Sequence, residues 1–293
     1  MRLFYLALLL PSVIVAQEPN GRAGARTAQP ANRYVKGGWG LDLTSQYFFR
    51  GILQENQGII VQPWFELGYD LYEGDDAVRD LDAKVGFWNS VQDEPDGTGG
   101  NWYEADFYLD VGMQFRERWQ FDARYTTYSS PNGAGRFFGP VQELSFRAAF
   151  ADDKEPLIGI FESGLRPHAL IAFELDGNRD AGNDEGVYLE VGVEPQFQLI
   201  KEDQSFPLRL AVPATLGLSL TNYYEDINGS DDFFGYFDLG GELSTPMKFM
   251  PERLGKWDAT LGLHWLLLGD NLEGFNNGDT TELVLSIGMA TTF

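Results

Sequence analysis

The chain has no cysteine in its 293 residues. That excludes a disulfide framework, a thiolate metal site, a cysteine nucleophile and a lipid anchor on an N-terminal cysteine. Histidine is almost as scarce, with 2 residues, which leaves little material for a histidine-based catalytic or zinc constellation. Positive charge is also short: 21 Lys and Arg stand against 44 Asp and Glu, a net charge of −23. A surface so acidic excludes nucleic acid as a partner. Beyond the N-terminal stretch there is no apolar run long enough for a membrane helix.

What is present begins with Arg2, an apolar run from Leu3 to Leu10, and Val13-Ile14-Val15-Ala16. This reads as a signal peptide over residues 1–16, cleaved after Ala16. Residues 17–38 are polar, with Pro, Gly, Ala and the basic Arg22, Arg26, Arg33 and Lys36, and read as a flexible periplasmic lead-in. Residues 39–293 form the folded domain.

That domain is dominated by period-two alternation of apolar and polar residues, the pattern of strands with one apolar face. The last stretch shows it most clearly: Leu283, Leu285, Ile287, Met289 and Phe293 alternate with Val284, Ser286, Gly288, Ala290 and Thr292. Twelve such stretches are expected: Trp39–Phe49, Ile59–Leu71, Asp80–Trp88, Trp102–Phe115, Trp119–Tyr128, Val141–Phe150, Leu165–Leu175, Val187–Leu199, Leu208–Asn222, Phe233–Leu243, Trp257–Leu268 and the closing Glu282–Phe293. The seventh alternates weakly, so ten strands is the alternative. The fold class is all-β, an antiparallel transmembrane β-barrel of even strand number. A mean hydropathy of −0.25 fits, because half of each strand faces a polar lumen.

Connections after odd strands tend to be long and rich in Asp, Asn and Gly; those after even strands are shorter or carry Arg79, Arg116, Arg118, Lys154, Lys201, Lys248, Arg253 and Lys256. The acidic loops are therefore expected outside the cell and the basic turns in the periplasm. Tyr47, Phe49, Trp102, Tyr103, Tyr128, Tyr223 and Phe233 are expected in an outer aromatic girdle; Phe115, Trp119, Phe150, Phe197, Trp257 and Phe293 in an inner one. Pro63, Pro195 and Pro213 fall inside strands of a wall with no free edge, so bulges or strand ends are expected there.

The stretch Leu43-Thr44-Ser45-Gln46-Tyr47-Phe48-Phe49-Arg50-Gly51-Ile52-Leu53-Gln54 resembles an uncharacterised, porin-like family of bacterial outer-membrane β-barrel proteins. Their first strand carries a pattern like L-T-S-x-Y-x-x-R-G-x-x-Q; Leu53 stands where a small polar residue is frequent. Ser244-Thr245-Pro246-Met247 through Phe249-Met250-Pro251, then Gly255-Lys256-Trp257, resembles the last periplasmic turn of related sequences. The closing strand, ending on Phe293, is similar to the strand that the barrel assembly machinery reads in that class. The resemblance implies fold and location in the outer membrane, with its lipid as surroundings. It brings no substrate, cofactor or catalytic residue.

With alternate residues facing the lumen, Asp42, Glu66, Asp70, Asp82, Glu104, Asp106, Asp110, Asp122, Glu190, Glu194, Asp238, Glu242 and Asp258 point inward beside Arg50, Lys84, Arg124 and Arg209. Such a lumen concentrates cations and repels anions. The leading expectation is a narrow pore for small neutral or cationic solutes. The alternative is a non-conducting structural or ligand-binding barrel, filled by its own salt bridges and acting through its loops, since barrels near twelve strands lie between filled and open sizes. Arg50 is expected at the mouth, ion-paired to a lumenal carboxylate such as Glu66; the alternative is that it gates the lumen or orients an anionic ligand. Neither His168 nor His264 has an evident Ser and acid partner in sequence, so the chain is not expected to be an enzyme. Clusters such as Asp226, Asn228, Asp231, Asp232 and Asp176, Asp180, Asp184, Glu185 contain oxygen ligands of the type Ca²⁺ takes. They read first as solvated loops, and no metal or other cofactor is expected.

Overall fold

A computed structural model of the chain describes residues 34–93, 100–132, 140–153, 157–158, 163–179, 182 and 184–293. The signal peptide, most of the lead-in, Lys154 and Asp180 lie outside these residues. Among the described residues the strands run β1 Val35–Thr44, β2 Tyr47–Phe49, β3 Ile52–Glu55, β4 Ile60–Glu73, β5 Val78–Gln92, β6 Trp102–Phe115, β7 Trp119–Ser129 and β8 Val141–Phe150. They continue with β9 His168–Asp176, β10 Val187–Val193, β11 Gln196–Ile200, β12 Leu208–Ala211, β13 Ala214–Thr221, β14 Phe234–Pro246, β15 Lys256–Leu268 and β16 Thr281–Thr292. A short helix, α1 Asp270–Phe275, sits between β15 and β16.

All of these strands except β2 and β3 belong to one antiparallel sheet that closes on itself. β10 and β11 form one stave interrupted at Pro195, and β12 and β13 another interrupted at Val212-Pro213, so the wall has twelve staves. β16 completes it, pairing with β15 on one side and β1 on the other. At one rim Gly37 and Phe293 exchange backbone hydrogen bonds, the Gly37 N–H donating at 3.0 Å and the Phe293 N–H at 2.9 Å. Among the described residues closure leaves no open strand edge, so each stave is paired on both sides, as hydrocarbon surroundings require.

The alternation expected from sequence sets the two surfaces. Phe65, Leu67, Leu109, Val111, Phe146, Leu261, Leu263, Leu285 and Ile287 are exposed on the outside. The alternating positions Gln62, Asp110, Arg124, Ser145, His264 and Ser286 are buried inside. This is the arrangement of a barrel that spans a bilayer, apolar outward and polar inward. Inward glycines are roofed by aromatic rings from a neighbouring stave: Tyr108 lies over Gly86, Tyr236 over Gly217, His264 over Gly240 and Trp64 over Gly40. The missing side chain lets each ring lie flat on the wall.

Several expectations need correction. The first wall strand begins at Val35, inside the expected lead-in, and ends at Thr44; Tyr47–Phe49 leave the wall altogether. Pro195 and Pro213 break their staves, but Pro63 sits within β4 opposite Leu41, and the β4–β5 register is the same on both sides of it, from Val61↔Val91 to Trp64↔Trp88. Tyr47, Phe49, Tyr103, Tyr128 and Tyr223 are not in an outer girdle but buried inside. For Tyr103 the reason is a register shift at Ser90/Val91, which sets one extra residue into β6 and turns its ring inward. Trp102 and Phe233 remain exposed at that end; at the other, Trp257 is covered by an edge-on contact with Trp39, ring centroids 4.8 Å apart.

The connection from β8 to β9 is organised by Asp152. Burial would raise its carboxyl, but hydrogen bonds from the backbone N–H groups of Leu165, Arg166 and Leu157 outweigh that and hold it below the ordinary carboxylate range. A folded value below the unfolded one means the stabilisation is present above the unfolded value, about 3.9 for Asp, and lost as pH falls through the folded one. Protease cleavage of this connection should therefore rise on acidification below about pH 4, and Asp152→Ala should show the same cleavage at neutral pH; equal cleavage of both proteins across the range contradicts the assignment.

Replacing Gly86 by Ala drives a methyl into the Tyr108 ring. The expected loss is about 1–3 kcal/mol, read as a lower temperature at which the folded, fast-migrating band converts on a denaturing gel. An unchanged transition would show that the ring is free to move away.

Candidate functional site

The segment that leaves the wall after Thr44 determines what the lumen can do. Its exit is fixed locally: the Ser45 N–H donates to the Leu285 carbonyl at 2.9 Å, the Leu285 N–H donates back to Ser45 Oγ at 3.0 Å, and the Thr44 hydroxyl donates to the Gln46 carbonyl at 2.7 Å. β2 and β3 then pair with each other as a separate two-stranded hairpin. Its two-residue turn is Arg50-Gly51, with φ of 48° and 81°, the positive values that a type I′ hairpin turn needs. A side chain at Gly51 would meet Leu272 of α1 and Tyr236 of β14, so the tip is wedged against the far wall. Leu43–Gln54, the residues that carry the family resemblance, thus comprise the last wall residues of β1 and nearly all of this hairpin.

The hairpin crosses the lumen and touches opposite walls with alternate side chains. Tyr47 and Phe49 join Ile60, Trp88, Tyr103, Tyr128 and Val141 in one buried cluster. Phe48, Ile52 and Leu53 join Tyr188, Tyr223, Tyr224, Tyr236, Leu266, Leu272 and Val284 in another. Polar contacts complete the seal: the Tyr103 hydroxyl donates to Gln54, and Gln92 donates to Glu55, whose other oxygen accepts the Asn56 and Gln57 N–H groups.

Two buried arginines pin it. Arg50 forms a two-pronged pair with Glu143, Nη1 to Oε2 at 2.8 Å and Nη2 to Oε1 at 2.9 Å, and Nη1 also donates to the Tyr223 hydroxyl at 2.7 Å. Its guanidinium lies 4.1 Å from the Tyr188 ring centre, and the Tyr224 hydroxyl donates to its carbonyl at 2.9 Å. Arg179, from the loop after β9, donates to Glu104 at 2.7 Å and stacks 3.8 Å from the Phe49 ring centre. Glu104 also accepts the Tyr47 hydroxyl at 2.7 Å, so one carboxylate joins the loop after β9 to the hairpin. Arg50 therefore does not pair with Glu66; Glu66 accepts from the Tyr108 hydroxyl at 3.0 Å instead. Arg179 is the functional candidate that sequence reading missed, because its strand-free loop gives no periodic signal.

The other expected lumenal residues lie on the inward face. In the half nearer the chain termini, Lys84 stands 3.5 Å from Asp82 and 3.7 Å from Asp110, Arg124 pairs with Asp110 at 3.1 Å, and Arg147 lies 3.9 Å from Asp122. Asp42 and Asp106 are buried, and Asp70, Glu194, Arg209 and Asp258 are partly exposed. Across the lumen His264 is held between Asp238 at 2.9 Å and Glu242 at 3.3 Å, and Glu190 accepts the Tyr188 hydroxyl at 2.8 Å with His168 3.6 Å away. Exposure marks the short-turn rim: side chains of Lys36, Asp70 and Arg147 are 39%, 24% and 21% exposed, whereas deeper in that half Asp110 and Arg124 are 1% and 5% exposed, as buried as Arg50 and Glu143 at 2% and 0%. The lumen is lined by close-packed ion pairs towards the short-turn end, with exposed groups at that rim, and is filled by the hairpin at the long-loop end.

The acidic loop after β13 forms turns. Asp226 accepts the Asn228 and Ser230 N–H groups, which hold its carboxyl below the ordinary range, and Asp231 accepts those of Asn222 and Tyr224. Among the described residues no group of three or more His, Asp or Glu is placed to hold a metal ion.

No protein-family model matches the chain, and no curated protein sequence does so significantly. Similar solved structures include an outer-membrane channel from Pseudomonas putida F1, with 12% identity, TM-score 0.47, and coverage of 91% of this chain and 100% of that one. The β domain of the Bordetella autotransporter BrkA has 11% identity and TM-score 0.41, covering 88% and 98%. The outer-membrane channel DcaP of Acinetobacter baumannii has 7% identity and TM-score 0.35, covering 89% and 96%. Likenesses this distant do not bear on function, and the twelve-stave assignment rests on the strand pairing above.

Removing one partner of a buried pair leaves the other uncompensated, typically about 3–5 kcal/mol. Glu143→Gln should therefore loosen the hairpin while leaving the wall folded. With Leu53→Cys as the only thiol in the chain, its modification by a water-soluble maleimide should speed up at least tenfold in the Glu143→Gln background. An unchanged rate would mean that Arg50 does not hold the hairpin.

Proposed function

We propose that the protein is a gated outer-membrane channel for small neutral or cationic solutes, closed in this structure by the hairpin Tyr47–Glu55. One observation carries this reading. The obstruction shares no strand pairing with the wall, because β1 already pairs with β4 beneath it, Thr44 opposite Ile60. A hairpin of this kind can leave the lumen without opening the wall. Its removal exposes a lumen lining in which carboxylates outnumber cations, so positive solutes are favoured by the field.

The long acidic loops face outward and the basic turns face the periplasm. The apolar belt faces outer-membrane lipid, and β16 is the strand that the assembly machinery reads. No cofactor or catalytic step is invoked. The dense packing at the loop end favours a second reading, a non-conducting barrel that acts through its loops, and conductance separates the two.

Replacing residues 46–57 by a short Gly-Ser linker should leave a folded barrel that gives discrete conductance steps in a planar bilayer, while the unaltered protein stays silent or opens rarely. In a KCl gradient the reversal potential should be cation-selective, and Asp106→Asn with Asp110→Asn should reduce that selectivity. A folded, hairpin-free barrel that never conducts would sustain the second reading.

A further inference from the structure

We infer that the wall pocket now filled by the Arg50 side chain is a binding site for small guanidinium cations, and that Arg50 occupies it as an internal stand-in for the solute. This deepens the channel reading and rests on it.

The groups that grip the guanidinium belong mostly to the wall and the outer loops. Glu143 comes from β8, Tyr188 from β10, and Tyr223 from the loop after β13. Glu143 is wholly buried and meets the guanidinium with both oxygens, at 2.8 and 2.9 Å. A carboxylate presented edge-on in this way matches a planar fork of N–H donors and not the three-fold ammonium of lysine. The ring face of Tyr188, 4.1 Å from the guanidinium carbon, suits a flat delocalised cation. The Tyr223 hydroxyl takes one further N–H at 2.7 Å. From the hairpin comes the more distant Phe49 ring, 5.0 Å away; the Tyr224 hydroxyl holds the Arg50 main chain.

If the hairpin swings out, Glu143 loses the two-pronged partner that Arg50 supplies, and a buried carboxylate that loses such a partner does so at a cost. A guanidinium solute relieves that cost and keeps Arg50 from returning. Because Arg50 is tethered, its effective concentration at the pocket is high, so the free ligand acts on a hairpin that has already moved.

The test uses full-length protein refolded in detergent. Arg50→Ala empties the pocket while retaining the hairpin. Calorimetric titration with methylguanidinium and with ethylammonium, which carries the same charge, should give at least tenfold tighter binding of methylguanidinium. Adding Glu143→Gln should weaken it at least tenfold, and the unaltered protein should bind neither. Equal affinities, binding indifferent to Glu143→Gln, or no binding would overturn the proposal. Should Arg50→Ala fail to fold, the hairpin-free barrel presents the same pocket and decides the question with the same ligands. That barrel also separates the two readings: methylguanidinium preference without conductance contradicts the channel and keeps the site, while conductance without preference contradicts the site and keeps the channel.

Discussion

The Arg50–Glu143 pair is the interaction on which the closed lumen depends. Arg50 occupies a left-handed backbone conformation, φ 48°, that a non-glycine residue adopts at a cost. It also gives up the hydration of its charge. Both penalties are tolerated because the guanidinium meets a two-pronged carboxylate, a tyrosine hydroxyl and an aromatic face together. A buried ion pair adds little net stability, but it fixes position, since any displacement strands two charges. Stability comes from Phe48, Phe49, Ile52 and Leu53, all buried between the walls, at about 1.5–3 kcal/mol for each such side chain. The apolar residues make the closed state favourable and the arginine sets its register.

The wall and the hairpin have different rules. The wall is a closed ladder in which every stave has two neighbours, and it is indifferent to what fills it. The hairpin contributes nothing to that ladder and is held only by side chains. Arg179 links it to the loop after β9 through Glu104, which accepts from Arg179 and Tyr47 at 2.7 Å each. Glu174 in turn accepts the Arg179 and Gly186 N–H groups and shapes that loop. A change in the loop after β9 thus has a direct route to the hairpin.

The wall was legible in the sequence because lipid and lumen impose period two on every stave. Trp102–Phe115 and Val141–Phe150 were delimited to the residue, and the even count of twelve follows from the same pattern. The hairpin was not legible. Tyr47 and Phe49 alternate as wall residues do, and nothing local says that this alternation serves two facing walls of a lumen and not lipid and water. The Arg50-Gly51 turn marks the hairpin, but its flanking strands are only three and four residues long, so they read as the end of β1. Tyr103 was misplaced because a bulge changes the parity that the pattern assumes. The lumenal carboxylates followed from parity, yet their partners did not, since Arg50–Glu143 and Arg179–Glu104 span 93 and 75 residues.

The central claim is that the plug and the wall are separable bodies. Hydrogen exchange of the folded protein, resolved by residue, tests it most directly. Amides of β2 and β3 should exchange together, and faster than those of β1, β4 and β16 beside them, because the hairpin can open while the ladder stays shut. Equal protection of hairpin and neighbouring wall, lost only on global unfolding, would contradict the account and make the hairpin a permanent part of the barrel.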